Sequence, residues 1–185
     1  MNKDLKKALS LAAIGFLFTF VNINLKINTL TINVMPDFIG WILLFMAHDN
    51  FGKYVAGKSF LKWTALILAI ASIALWILGI YDPNMDLTLY TAVVNVIAAV
   101  YMFMLFSVIS NVARDMGSAK AETITFLKYL NFFIFLALSA LGFIGLRIDI
   151  KYLAIAATIL GALAIGAAVI SAIVLFSLRK EASEV

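Results

Sequence analysis

Six apolar stretches fill this chain, and its basic residues gather in alternate segments between them. An α-helix needs about 20 apolar residues to cross a bilayer. Lipid offers the backbone no hydrogen bonds, so a spanning segment must satisfy its own, as a helix does. The stretches read as spans at Leu5–Val21, Pro36–Phe51, Phe60–Tyr81, Leu87–Ser110, Thr123–Leu146 and Tyr152–Leu178. The last four reach full length and the first two are short. The expected fold is an all-α membrane protein, a bundle of six transmembrane helices forming one integral membrane domain over residues 1–185. A hydrophobic content of 64% and a mean hydropathy of +1.06 agree, because a soluble fold of this size could not bury so much apolar surface.

The charges give the threading. Lys3, Lys6 and Lys7 precede or open span one; Lys53, Lys58 and Lys62 surround the start of span three. Arg114, Lys120 and Lys128 flank the loop after span four, and Arg179 and Lys180 follow span six. Lys26, Arg147 and Lys151 are the exceptions, and the loop after span three holds Asp82 and Asp86 without a base. Under the positive-inside rule both termini are cytoplasmic, and this alternation requires span two to cross despite its length. The net charge of +4 and pI near 9.3 are thereby assigned to a cytoplasmic membrane face, with no nucleic-acid partner expected. The N-terminal run reads as an uncleaved first span, since no small-residue cleavage site follows it.

Residues 22–34, NINLKINTLTINV, break the helical pattern. Ile23, Leu25 and Ile27 alternate with polar residues; the phase then flips, and Leu30, Ile32 and Val34 do so. Period two on both sides of a turn suits two short strands, with an extended loop as the alternative. Either forms an amphipathic flap at the outer mouth of the bundle. Met35-Pro36-Asp37-Phe38-Ile39-Gly40-Trp41 follows. Pro36 suits a helix's first turn and Asp37 its positive dipole end; an acid at this height also suits a ligand or a buried partner, and Asp37 is expected to lie near Arg147 or Lys26 or to accept backbone N–H bonds at the start of span two.

The run INVMPDFIGWILLFMA resembles an I-D-I-L-P-D-F-I-G-Y-I-L motif near the N-termini of small, uncharacterised membrane proteins of Gram-positive bacteria. The likeness covers about residues 20–47 and departs at Asn33, where such motifs often carry Asp. It implies a bacterial plasma-membrane location and no activity. The chain is also similar to the substrate-binding S components of energy-coupling-factor vitamin transporters, which have six helices, a lid after helix one, and A-x-x-x-A in helices one and three. Ala8/Ala12 and Ala65/Ala69 have that spacing here.

Other motifs dissolve on inspection. Gly52-Lys53-Tyr54-Val55-Ala56-Gly57-Lys58-Ser59 has phosphate-loop spacing, but it joins two spans and lacks the strand and acid that such a loop requires. Ser59 is instead a candidate cap for span three. Asp82-Pro83-Asn84-Met85-Asp86 starts like a calcium loop, but Leu87 stands where glycine is required and Val93 where glutamate is. With no cysteine, one histidine (His48) and no paired acids within a span, neither catalysis nor a cofactor or metal is expected.

Asn95, Ser107, Asn131, Ser139 and Thr158 are among the few polar groups within the spans, where such residues usually bond neighbouring helices. Asn95 lies at the height of Asn22, Asn24 and Asp37, and Arg147 is at the same outer level. A small-solute site lined by Asn22, Asn24, Asp37, Trp41, Asn95 and Arg147, roofed by the flap, is therefore one expectation. Span six carries two small-residue ladders, Ala154/Thr158/Ala162/Gly166 and Ala157/Gly161/Ala164/Ala168. They suit close packing within the bundle or docking of another membrane protein or second copy. Two functions thus stand open: a solute-binding or transport subunit, and an accessory protein that binds another membrane protein.

Overall fold

The computed structural model describes residues 3–20, 24–27, 30–33, 36–51, 58–82, 85–145 and 150–182, with backbone alone for 24–27, 30–33, 58, 145 and 150–152. Six helices run α1 (Lys3–Phe20), α2 (Asp37–Phe51), α3 (Lys58–Tyr81), α4 (Thr88–Asp115), α5 (Ala121–Gly145) and α6 (Ile150–Glu181), with strands β1 (Asn24–Ile27) and β2 (Leu30–Asn33) between α1 and α2. Among the described residues, α3, α4, α5 and α6 are long and apolar enough to cross a membrane. This is the build of a membrane protein. Helix α1 has 18 residues and α2 has 15, about 27 and 22 Å at 1.5 Å per residue. Both fall short of a hydrocarbon core about 30 Å thick.

The helices pack in ring order, each against its neighbours in sequence, and α6 closes the ring on α1. The ring is filled from α1, whose buried positions Leu5, Ala8, Leu9, Ala12, Ala13, Phe16 and Phe20 recur every three or four residues. Phe16 meets Phe106 of α4 and Phe20 meets Phe135 of α5, each pair with ring centroids 4.9 Å apart. The outer surface is also apolar: Phe60, Trp63, Ile67 and Ile70 on α3, Phe126 and Phe133 on α5, and Ile155, Ile159 and Ile173 on α6 are exposed. Water would not tolerate such a continuous coat, and lipid does.

Close approach of α1 and α2 depends on two glycines. A Cβ on Gly40 would lie 2.3 Å from Thr19 Oγ1 and 2.6 Å from the Gly15 carbonyl oxygen, and one on Gly15 would lie 2.9 Å from Leu44 Cγ. Helices α4 and α5 are joined by a tight turn. Met116 ends α4, Gly117 takes φ 68°, its N–H donates to Arg114 O, and the Ser118 N–H donates to Ala113 O. These are the two bonds of a glycine-terminated helix end. Ser139 Oγ donates to Ala92 O at 2.7 Å, and Ser110 Oγ lies 2.8 Å from Thr125 Oγ1, locking α4 to α5 at two levels.

One end of the ring collects the basic residues. Lys6 shares a cleft with Arg179 and Lys180. Lys62 of α3 pairs with Asp49 of α2 at 2.6 Å, and Lys120 pairs with Glu181 of α6, which also accepts from Ser118. The first turn of α5 therefore lies beside the last turn of α6, as an up-and-down ring requires.

Strands β1 and β2 pair antiparallel with Leu25 opposite Ile32 and Ile27 opposite Leu30. Of the two forms expected for this segment, the hairpin is the one adopted. The phase flip around 28–29 is what pairs apolar with apolar positions across a two-residue connection. Strand β2 also approaches α3. Ser59 does not cap α3, because the helix already includes Lys58; α4 and α6 run past their expected ends to Asp115 and Glu181. The α4 extension is polar (Asn111, Arg114, Asp115) yet helical up to the glycine turn. At the opposite end the Thr88 side chain and, at 3.0 Å, the Thr88 backbone N–H bond to Asp86 and hold its carboxyl below the usual carboxylate range.

Candidate functional site

A cavity of about 260 Å3 opens in the half of the ring away from the basic end. Thr19 and Phe20 of α1, Asp37 and Trp41 of α2, Ser72 and Leu75 of α3, Asn95 and Ala98 of α4, Phe135 and Leu138 of α5, and Gly161 and Ala164 of α6 line it. All six helices contribute. Most of the wall is apolar or aromatic, with a few polar groups converging, the usual make-up of a small-molecule site.

Helix geometry explains the convergence. Asp37 and Trp41 are four residues apart and so lie on one face of α2. Trp41 is buried, with its ring edge-on to Tyr101 at 5.5 Å. Asn95 and Ala98 share a face of α4 in the same way, and small Ala98 and Ala164 leave the room the cavity occupies. Thr19, also in the wall, donates its hydroxyl to Gly15 O at 2.8 Å. Asp37 is the informative group: its Oδ1 is buried and has no hydrogen-bond partner. An unpaired acceptor buried among apolar groups is costly, and such groups in a native structure mark strain or an absent ligand.

Asn95 makes no side-chain hydrogen bond among the described residues. The other intraspan polar groups bond in packing: Asn131 donates to Leu127 O and Ser171 Oγ while its own Oδ1 is buried without a partner among the described residues, Ser139 donates to α4, and Ser107 and Thr158 donate to carbonyls one turn back in their own helices. Asn95 also lines a second hollow of about 380 Å3 between α4, α5 and α6, which shares Thr91, Asn95 and Leu138 with the first. It stands at the junction of the two.

Of the expected site residues, Asp37, Trp41 and Asn95 come together. Asn22 and Arg147 lie outside the described residues, and so does the side chain of Asn24, on β1. The anticipated link from Asp37 to Arg147 or Lys26 falls on Arg147 and the Lys26 side chain, which also lie outside the described residues. Thr19, Phe20, Ser72, Phe135 and Gly161 were not anticipated; apolar positions become a wall only once helix neighbours are known. The Ala154/Thr158/Ala162/Gly166 ladder of α6 is exposed, whereas Ala164 and Ala168 of the other are buried against the bundle.

A second buried polar pair lies deeper. His48 and Tyr101 are fully buried, with Nε2 2.9 Å from the hydroxyl. Tyr101→Phe strips His48 Nε2 of this bond and is expected to cost about 1–3 kcal/mol. Thermal unfolding in detergent checks it, and an unchanged midpoint would show that the bond contributes nothing.

No group of three or more metal-ligating side chains gathers among the described residues. No protein-family model, curated protein or solved structure matches the chain.

Proposed function

We propose that this is a non-catalytic, multi-pass plasma-membrane protein that binds a small solute in the outer half of its bundle, as a binding or transport subunit. The carrying observation is the cavity in which Asp37, Trp41 and Asn95 meet, with an Asp37 oxygen left unpaired. In this reading all six helices cross or enter the bilayer, the basic end and both termini are cytoplasmic, and the β1–β2 hairpin sits outside beside α3. The short α1 and α2 are accommodated by packing on each other at Gly15 and Gly40 rather than by length. Lipid solvates the exposed apolar coat.

Mass spectrometry of the protein released from native membrane nanodiscs tests the reading. The expected result is a co-purifying small molecule that is lost from Asn95→Leu while the variant remains folded. Empty protein from native membrane, or a molecule retained in full by Asn95→Leu, would reject it.

The exposed ladder of α6 supports a second reading, an accessory protein whose partner, or second copy, packs on Ala154, Thr158, Ala162 and Gly166. Gly166 has nothing within 4 Å of where a Cβ would stand. Gly166→Leu is thus expected to leave monomer stability within about 0.5 kcal/mol, as an uncrowded surface change does. Loss of a cross-linked dimer or co-purifying protein on that change would favour the accessory role; unchanged association would remove it.

A further inference from the structure

The cavity has a sign. Asp37 is its only formally charged wall residue among those described, and no Lys, Arg or His lines it. Its remaining polar wall residues are Asn95, Thr19, Thr91 and Ser72, each able to accept or donate a hydrogen bond, and Trp41, whose indole N–H donates. Phe20, Trp41 and Phe135 supply π faces or edges around the same space. An anion here would meet a carboxyl group in a low-dielectric setting with no counter-charge among the described residues, which is strongly disfavoured. A neutral apolar guest would leave the Asp37 oxygen unpaired. A cation satisfies both, since an ammonium donates to the carboxylate and is attracted by aromatic faces.

We infer that the ligand is a small amphiphilic ammonium compound, its charged nitrogen on Asp37 and its apolar body along Phe20, Phe135 and Leu138. This rests on the solute-binding reading of the same cavity. At about 30 Å3 per water-sized group, 260 Å3 holds roughly nine non-hydrogen atoms. The neighbouring hollow, reached past Asn95, offers space for a longer tail. The tail would then run between α5 and α6, toward the lipid-facing side of the bundle.

Three probes of one shape and different charge test this: phenethylammonium, 2-phenylethanol and phenylacetate, titrated against the full chain in nanodiscs by thermal shift and calorimetry. Phenethylammonium is expected to bind at least about tenfold more tightly than the alcohol, a difference of about 1.4 kcal/mol, and phenylacetate more weakly still. Asp37→Asn is expected to abolish the preference for the ammonium while keeping the binding of the alcohol. Its fold is expected to be spared because the Asp37 carboxyl makes no ion pair among the described residues. Alcohol or phenylacetate binding as tightly as the ammonium overturns the cationic class and leaves a solute site in place. Should none of the three bind, the cationic class is overturned, and the native-membrane experiment alone decides the broader reading. If Asp37→Asn fails to fold, the ranking of the three probes on the unaltered protein still decides.

Discussion

Gly40→Leu is expected to abolish the folded protein, and Gly40→Ala to cost about 1–3 kcal/mol, the usual penalty of overpacking. Even the single carbon of alanine would stand 2.3 Å from Thr19 Oγ1, 2.6 Å from Gly15 O and 2.7 Å from Thr19 N. Two of those three atoms are backbone, so relief requires α1 and α2 to separate. Separation breaks the packing that compensates for their shortness and moves Thr19 and Asp37, which both line the cavity. The control is Gly79→Ala, whose added carbon would meet nothing within 4 Å. Size-exclusion profiles and unfolding midpoints in detergent read the difference, at about 2–4 °C per kcal/mol for a chain of this length. Equal midpoints for Gly40→Ala and Gly79→Ala would show that the helices do not meet at Gly40.

Phe16→Ala is expected to cost about 3–5 kcal/mol, the usual range for removing a buried phenylalanine. The side chain is fully buried, and its loss leaves a void beside Phe106 that the small neighbours Ala12 and Ala13 cannot fill. The contrasting change is Phe126→Ala, which removes a ring that is 64% exposed. In a bilayer that ring already sits among lipid tails, so its loss is expected to move the midpoint little, within about 0.5 kcal/mol. Similar losses at Phe16 and Phe126 would mean that the exposed coat is buried against protein.

Helices α3 to α6 were legible because their apolar runs are long, that of α3 being bounded by charge at Lys58 and Asp82. Their ends were less so. The last turns of α4 and α6 are charged, and they stay helical because of bonds made by residues beyond the apolar run, at Gly117 and between Lys120 and Glu181. The extended, period-two character of the segment before α2 was legible, but whether it pairs as a hairpin or stays an extended loop was not, since both share that pattern. Asp37, Trp41 and Asn95 could be placed together because helical rise converts residue number into membrane height. The contact of Gly15 with Gly40 was not legible: a single glycine in a helix has the same letter whether it permits a close crossing or merely weakens the helix. Nor was the role of Phe20 and Phe135, since ring order is a property of packing and not of any one helix. The signal that existed for Gly40 was its position on the helix that carries Asp37 and Trp41, at the height where α1 ends.

Accessibility of single cysteines in intact cells tests the threaded bundle most directly, because the chain has no cysteine of its own. Thr31→Cys places a thiol on β2, and Ala119→Cys places one in the exposed turn between α4 and α5 at the basic end. With a membrane-impermeant maleimide, Thr31→Cys is expected to label in intact cells and Ala119→Cys only after lysis. Labelling of Ala119→Cys in intact cells, or protection of Thr31→Cys until lysis, would contradict the outward-facing cavity on which the functional reading depends.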